Sequence, residues 1–254
     1  MNEYYKIEGQ TLSDVADKVR TYTGATNQIK AKDLDTCVDN VYEAGKKAEY
    51  DRFWDIYQEN GKRKHYMNAF SGIGWGNDTF KPKYDLIPIN AYMLFRESNI
   101  VGDLTKILKD LGISLSFSNC TNNQYAFYSS KFTKIGLVDF DAVTSTAISA
   151  FGYCSDLESV EIKVNENTVF NQMWTNCTAL INLVIHGTIG QNGFNVKWST
   201  LLSHDSLMSI INALQDKTGD TSGTSWVCTL GTENLAKLSD AEKAIATEKG
   251  WSLA

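Results

Sequence analysis

Two segments in the middle of the chain repeat the same spacing of apolar residues. Each opens with an aromatic residue, Phe151 or Trp174, followed by Cys after three positions, Leu after six, an aliphatic residue after nine and Ile after eleven. A looser copy opens at Phe127, and fainter copies open at Phe95 and Phe70. These five aromatic residues are separated by 25, 32, 24 and 23 positions. Such a repeat predicts a small structural unit that cannot bury its apolar face alone and therefore stacks on its neighbours.

The spacing also predicts which side chains share the core. We expect the aromatic residue and the aliphatic residues after six, nine and eleven positions to point inward, with a short strand closing each repeat. Cys154 and Cys177 are then expected to occupy equivalent buried positions. In the looser copy, Ile135 and Leu137 take the two strand positions, as if one residue were missing. The steps lie in or near the range of leucine-rich repeats, about 20 to 29 residues.

Helical patterns of apolar residues flank the repeats and interrupt them once. Three such patterns precede residue 62. A fourth, at 104–111, accounts for the 32-residue step as a helix inserted into one repeat. Two more follow residue 203, the second at 239–250, with an alternating strand pattern between them at 226–230. Because stacked repeats expose apolar ends, this last region is predicted to be a cap.

These patterns together predict an α+β fold in three parts. An N-terminal helical attachment module is expected over 1–62, a short leucine-rich-repeat-like β-solenoid over 63–202 and a C-terminal α/β cap over 203–254. Hydrophobic residues make up 43% of the chain, which is enough for a packed core.

Charge and hydropathy exclude several classes of partner. The net charge of −6 argues against nucleic acid, because binding to phosphates needs a basic face. No apolar stretch approaches the roughly 20 residues of a membrane helix, so membrane insertion is not expected. The polar start, Met1–Lys6, has neither the basic nor the apolar region of a secretory signal, which predicts folding in a cytoplasm.

Residues that could perform chemistry are scattered along the chain. The five cysteines form no CxxC pair, so we interpret them as small buried side chains rather than a disulfide framework or a zinc site. His65, His186 and His204 lack metal-ligand or catalytic spacing and are expected on the surface or in turns. The alternating glycines around Trp75 are interpreted as a glycine-rich turn.

Four carboxylates in the repeats are candidates for sugar hydrolysis, and two of them, Asp139 and Asp141, are also candidates for calcium binding. A glycosidase needs two carboxyl groups that face each other across a sugar, whereas alternating carboxylates on a strand are typical of a solvated face. The surrounding loop also lacks the density of oxygen ligands found in dedicated calcium sites. We therefore predict no catalytic, metal-binding or cofactor-binding residue and no enzymatic activity. The four residues are Asp139, Asp141, Asp156 and Glu158.

Aromatic residues make up 11% of the chain. Exposed aromatic side chains are typical of carbohydrate-binding and protein-binding faces, but most of them are interpreted here as core residues or subunit contacts. The aromatic residues weighed between these two readings include Tyr4, Tyr5, Tyr66, Trp75, Tyr84, Tyr92, Trp198 and Trp226.

The repeat units resemble a known family. Their succession of an aromatic residue, Cys, Leu and two aliphatic residues looks like the BspA-type leucine-rich repeats of gut bacteria and their phages. The segment Thr11–Leu34 is similar to a short module at the start of phage tail and other virion proteins. The segment Leu230–Trp251 looks like the ending of such repeat proteins. The family implies no catalytic motif and no cofactor.

The resemblance implies a structural protein of a phage virion, in the tail, baseplate or fibre, assembled in the host cytoplasm. Its N-terminal helices would attach it to the particle, and its repeats would present a surface for assembly and for host recognition. The expected partners are other virion proteins, copies of the same chain in a homo-oligomer and a host-surface glycan or protein. A bacterial cell-surface or secreted adhesin of the same repeat class is the alternative, and a polysaccharide-degrading enzyme is a third hypothesis.

Overall fold

The computed structural model describes residues 85–88, 90–142 and 147–254. Within these ranges the architecture is mixed α/β, with a parallel four-stranded sheet and a parallel two-stranded sheet. The helical module predicted over 1–62 and the repeat predicted at Phe70 lie outside the described residues.

Strands of the larger sheet lie side by side in chain order, so each successive strand is added beside the preceding one. This order agrees with the prediction that each repeat is closed by a strand that pairs with its neighbours. The elements are β1 (Gly102–Asp103), α1 (Leu104–Asp110), β2 (Phe132–Asp139), β3 (Ser159–Val164), β4 (Asn182–Gly187), α2 (His204–Ala213), β5 (Trp226–Cys228), α3 (Thr232–Leu235), α4 (Asp240–Glu248) and β6 (Trp251–Leu253).

The sheet register places equivalent residues of the two clean repeats next to each other. Val160 of β3 lies beside Leu183 of β4, and Ile162 lies beside Ile185. All four side chains are buried, as are the leucines six positions after each aromatic residue. The inward positions predicted for these two repeats are therefore confirmed.

The aromatic residues that open the repeats form one buried column, which we call the aromatic column. The ring centroids are 5.4 Å apart between Phe95 and Phe127, 5.4 Å between Phe127 and Phe151, and 4.8 Å between Phe151 and Trp174. The rings are nearly parallel, with interplanar angles of 15°, 7° and 8°. Such pairs contribute about 0.5–1.5 kcal/mol each beyond the burial of their area. Four of the five predicted repeat openings thus occupy equivalent places in the core.

A second set of equivalent positions follows three residues after each aromatic residue. The Cys154 thiol donates a hydrogen bond to the carbonyl oxygen of Phe127 at 2.8 Å, and the Cys177 thiol donates to that of Phe151 at 3.0 Å. The next repeat differs, because the hydroxyl of Ser199 donates to the carbonyl of Cys177 itself at 2.9 Å. Burial raises the pKa of Cys154 to about 11. The four cysteines within the described residues are all buried and unbridged, as predicted.

The looser repeat departs from its prediction at one strand position. Ile135 points inward as expected, but the next inward residue of β2 is Val138 rather than Leu137. Leu137 lies on the outer face of the sheet with 50% of its surface exposed. The register shifts between Ile135 and Leu137, where Gly136 forms a bulge. One residue is missing earlier in this repeat, which shifts the inward-facing positions by one. The extra residue at the bulge compensates for the missing one.

The inserted helix is present as predicted and lies against β2. The Asp103 side chain caps α1 by accepting a hydrogen bond from the backbone N–H of Lys106 at 3.0 Å. The helix passes so close to the bulge that a Cβ atom on Gly136 would lie 2.6 Å from Oγ1 of Thr105. Any other residue at this position would force the side chain of Thr105, or the helix that carries it, to shift.

After the last strand of the larger sheet, α2 covers the sheet edge. The hydroxyl oxygens of Ser206 and Ser209 accept hydrogen bonds from the backbone N–H groups of Leu183 and Ile185, at 2.8 and 2.9 Å. These serines satisfy donors that a fifth strand would otherwise bind.

The two helices and the strand predicted after residue 203 are confirmed, although α4 ends two residues before Gly250. In the part of the chain that the structure describes, no helix is both long and apolar enough to cross a membrane.

Candidate functional site

The two aspartates at the end of β2 are paired with a single lysine of the next strand. Lys163 Nζ lies 3.3 Å from Oδ2 of Asp139 and 2.7 Å from Oδ2 of Asp141. The hydrogen bond from Lys163, with a second from Asn165, lowers the pKa of Asp141, and the hydrogen bonds to Asp141 and Asp139 raise the pKa of Lys163. A general acid needs a raised carboxyl pKa, so this arrangement is that of an ion pair and not of a proton donor.

The other two candidate carboxylates lie at the opposite end of the sheet. Asp156 and Glu158 precede β3, and Asp156 pairs with Lys131 at 3.4 Å. Asp139 lies beside Lys163 in the sheet register, and Glu158 precedes Lys163 by five residues. At roughly 3.3 Å per residue, this places Glu158 about 17 Å from Asp139 along the strand. Glycosidase carboxylates lie about 5–9.5 Å apart. The described residues also contain no group of three side chains suited to a metal ion.

The two histidines within the described residues lie on the surface, as predicted, and each contacts a glutamate. His186 Nε2 is 2.9 Å from Oε2 of Glu161 across β3 and β4. His204 Nε2 is 2.8 Å from Oε1 of Glu242, which joins α2 to α4. These contacts link neighbouring elements and leave both imidazoles without a nucleophile to activate.

The other side of the repeats is formed by turns with an unusual and repeated backbone. Every non-glycine residue with a positive φ in the described ranges lies two positions before or after a residue of the aromatic column. Amides of these turns donate to the next repeat, as Tyr153 N–H does to the Thr175 carbonyl at 2.6 Å. Consecutive turns are thus held in register like strands, and we call their outer surface the turn face. The eight residues are Met93, Glu97, Tyr125, Ser129, Ser149, Tyr153, Gln172 and Asn176.

Four tyrosines lie in continuous contact along the turn face, and we call them the tyrosine band. The ring centroids are 6.2 Å apart between Tyr92 and Tyr125, 5.5 Å between Tyr125 and Tyr128, and 5.3 Å between Tyr128 and Tyr153. The guanidinium of Arg96 lies 5.8 Å from the ring centroid of Tyr128, within the range of a cation–π contact. Partial burial, followed by the neighbouring Tyr153, raises the pKa of Tyr128. The hydroxyl group of Tyr128 therefore remains a protonated donor at neutral pH.

The tyrosine band ends at a groove of about 360 Å³, which we call the aromatic groove. Tyr153 and Trp198 line it, and they are 47% and 45% exposed. The Nζ atom of Lys197 lies 5.0 Å from the ring centroid of Trp198. The remaining lining is polar or small and includes no carboxylate: Asn171, Gln172, Thr175, Gly193 and Asn195.

Buried neighbours hold both aromatic side chains of the groove in place. Tyr153 lies between two residues of the repeat core, since Cys154 follows it and Phe151 precedes it by two positions. Trp198 lies in a turn in which Oδ1 of Asn195 accepts a hydrogen bond from the Lys197 N–H at 3.1 Å. The next residue in the chain, Ser199, is fully buried. The rings are therefore exposed, but their backbones are anchored.

No family model, curated protein or solved structure matches this chain. The resemblance to BspA-type repeats and to phage virion proteins therefore stays a prediction. The function must be argued from the residues themselves.

Part of the aromatic groove was accessible to sequence reasoning. Trp198 of the groove and Tyr92 of the tyrosine band are among the aromatic residues singled out from the sequence, whereas Trp226 packs against Trp251, with ring centroids 5.4 Å apart, and does not line the groove. Three tyrosines of the band were missed, although the repeat alignment places them one or two positions from the aromatic column, on the outside. Those three are Tyr125, Tyr128 and Tyr153. The remaining predicted candidates lie outside the described residues: Tyr4, Tyr5, His65, Tyr66, Trp75 and Tyr84.

A second groove, of about 460 Å³, lies between α1 and β2. Its lining is mainly aliphatic and includes Leu108, Ile113 and Leu137. It brings together few polar groups that could orient a ligand. The aromatic groove is the better candidate for specific recognition.

Proposed function

We propose that this protein is a non-enzymatic structural component of a phage virion, in the tail, baseplate or fibre, that also presents a recognition surface. Its repeats would form a short leucine-rich-repeat-like solenoid, preceded by an N-terminal attachment module and closed by a C-terminal cap. One observation carries the proposal: successive repeats contact one another both inside, through equivalent residues of the aromatic column, and outside, through the tyrosine band. Each added repeat extends the core and the presented surface together.

The state of the candidate catalytic groups supports a binding role over a hydrolytic one. Asp139 and Asp141 share a lysine, and the second pair of carboxylates lies at the far end of the sheet. Burial raises the pKa of Cys154 and Cys177, which keeps both thiols protonated and poor as nucleophiles.

The proposed partners are other virion proteins, copies of the same chain and a molecule of the host surface. In a homo-oligomer, many copies of the turn face would act together, so that weak single contacts add up to firm attachment. Such a protein would be assembled into the virion in the host cytoplasm.

The test is the mass of the purified full chain by light scattering, combined with negative-stain images. We expect a defined oligomer, a ring or an elongated particle. Val15→Asp places a charge on the predicted N-terminal apolar stripe and should dissociate the assembly, whereas Asp17→Ser on the opposite face of that predicted helix should not. A wild-type monomer at all concentrations would contradict the virion proposal.

The tyrosine band, which ends at the exposed Tyr153, also favours one alternative, a bacterial cell-surface or secreted adhesin of the same repeat class. Such a protein can act as a monomer, because attachment to the cell wall supplies the multiple copies. A monomeric chain that still binds its partner through the turn face would support the adhesin.

A further inference from the structure

We propose that the aromatic groove binds a glycan, whose pyranose rings stack on Tyr153 and Trp198. This inference rests on the proposed function, because it names the class of host-surface partner that the presented repeats would recognise. It also assigns the residues that would make the contact.

The pair of exposed aromatic rings matches one face of a sugar. A pyranose ring presents several C–H groups on one side, and these pack against the electron-rich face of an aromatic ring. Tyr153 and Trp198 are among the most exposed large side chains of the described residues, and both line the same groove. Large aromatic rings left in water are otherwise unfavourable, so their exposure on anchored backbones indicates a partner.

The polar lining matches the rim of a sugar. Hydroxyl groups around a pyranose act as both donors and acceptors, and the side-chain amides of Asn171, Gln172 and Asn195 offer both kinds of partner. Lys197 adds a cationic donor, and it forms no salt bridge within the described part of the chain. A peptide anchor would instead need an aliphatic pocket, and no Leu, Ile, Val or Met lines this groove.

The size and continuity of the surface suit a chain of sugars. The volume of about 360 Å³ lies at the lower end of the roughly 300–1,000 Å³ typical of small-ligand sites. Beyond the groove, the ring of Tyr128 lies 5.3 Å from that of Tyr153 and continues the aromatic surface. We therefore expect the groove to hold a short saccharide segment and the tyrosine band to contact the sugars that follow.

The backbone favours binding because the segment that carries Tyr153 is already held in place before the sugar binds. Tyr153 has a φ of 61°, and its N–H is bonded to the next repeat at 2.6 Å. A tyrosine without a local reason seldom adopts this conformation. The repeat thereby holds the side chain at the surface, which reduces the entropy lost on binding.

The experiment measures binding of the wild-type full chain to an array of purified bacterial capsular, cell-wall and lipopolysaccharide glycans. The protein is displayed on beads so that weak contacts are detected through multivalency. For the best-binding glycan, Tyr153→Ala and Trp198→Ala should each lower the affinity by about tenfold or more. Tyr153→Phe and Trp198→Phe keep a stacking ring and should stay within about threefold of wild type.

Leu201→Ala serves as the matched control, because Leu201 is exposed near the groove in sequence but does not line it. Thermal unfolding of each variant shows that a loss of binding is not a loss of fold. A second arm uses cell envelopes of gut bacteria before and after periodate, which cleaves vicinal diols of sugars. Binding should disappear after this treatment.

Three results would overturn the inference: no binding to any glycan, equal binding by wild type and both alanine variants, or envelope binding that survives periodate but is lost after protease treatment, which would indicate a protein partner. The proposed function fails separately. A defined oligomer that binds no glycan would support the virion proposal and contradict this inference. A monomer that binds glycan through Tyr153 and Trp198 would support this inference and contradict the virion proposal.

Discussion

The outer face of the four-stranded sheet and the turn face come from the same repeats, yet their side chains make different kinds of contact. On the sheet, polar side chains of neighbouring strands pair with one another, as Lys163 does with two aspartates and His186 does with Glu161. On the turn face, the tyrosines contact one another edge to face, and the ring of Trp198 remains open to solvent. A surface whose charges are already paired offers less to a partner, because those pairs must be broken before new ones form.

Stacking itself explains why the two faces differ. Residues at one position of a repeat lie next to each other in successive strands, and like charges placed side by side are destabilising. The sheet avoids this by alternating the sign of charge from β2 to β3, as at Asp139 and Lys163. Aromatic rings carry no net charge, so they can recur on successive turns without repulsion. The turn face is thus the surface on which this repeat can accumulate binding groups.

The largest effect is expected from breaking the aromatic column, on which both faces depend. Phe151→Ala removes the ring between Phe127 and Trp174 and should lower the free energy of unfolding by about 3–5 kcal/mol. Urea denaturation followed by circular dichroism measures this. Phe151→Leu fills more of the space and should cost less. A loss below about 1 kcal/mol for the alanine variant would show that the two faces do not share one core.

A smaller effect, confined to the sheet side, is expected at the bulge of β2. Gly136→Ala should lower the free energy of unfolding by about 1–3 kcal/mol, because the new Cβ would meet Oγ1 of Thr105 at 2.6 Å. Thr105→Ala removes that oxygen and should restore most of the loss in the double variant. Glycan binding by the turn face should be unchanged. Additive effects of the two substitutions would contradict a direct contact.

The smallest effect is expected outside both faces, from the glutamate that links α4 to α2. Hydrogen bonds from Ser239, with a further one from His204, lower the pKa of Glu242 to about 2 from an ordinary value of 4.5. The stability that this carboxylate contributes is therefore fully present above about pH 4.5 and is lost as the pH falls through about 2. Between these values, the Tm of Glu242→Gln should fall less steeply than that of wild type.

The control for this pH dependence is Glu248→Gln, in the last turn of the same helix. Its Tm should follow the wild-type curve. If Glu242→Gln also followed that curve, the capping bonds of Glu242 would not be the source of the acid sensitivity.

The repeat core was predictable to a large extent, and its exceptions share one cause. The aromatic column and the positions of Cys154 and Cys177 followed from spacing along the chain, which is a local property. Leu137 was placed inward because its spacing alone resembles that of the clean repeats. The bulge at Gly136 moved it outward, and that bulge accompanies the close approach of α1, a contact that spacing does not reveal.

The candidate site was less predictable, because its members come from different repeats. Trp198 was recognised as a possible exposed residue, but nothing in its local sequence connects it with Tyr153, 45 positions earlier. The two residues line one groove only once successive turns are held in register by hydrogen bonds between repeats. The pairing of Asp139 with Lys163 depends in the same way on the register between two strands.

The sequence by itself determined the repeat, its inward side chains and the helices that interrupt and follow it. Each of these depends on the period with which apolar residues recur along one stretch of chain. Only the tertiary structure decided which outward side chains meet, such as Lys163 with two aspartates on the sheet and Tyr153 with Trp198 at the aromatic groove. Those contacts depend on the relative shift of segments more than 20 residues apart, and a shift of one residue would reverse which side chains face out.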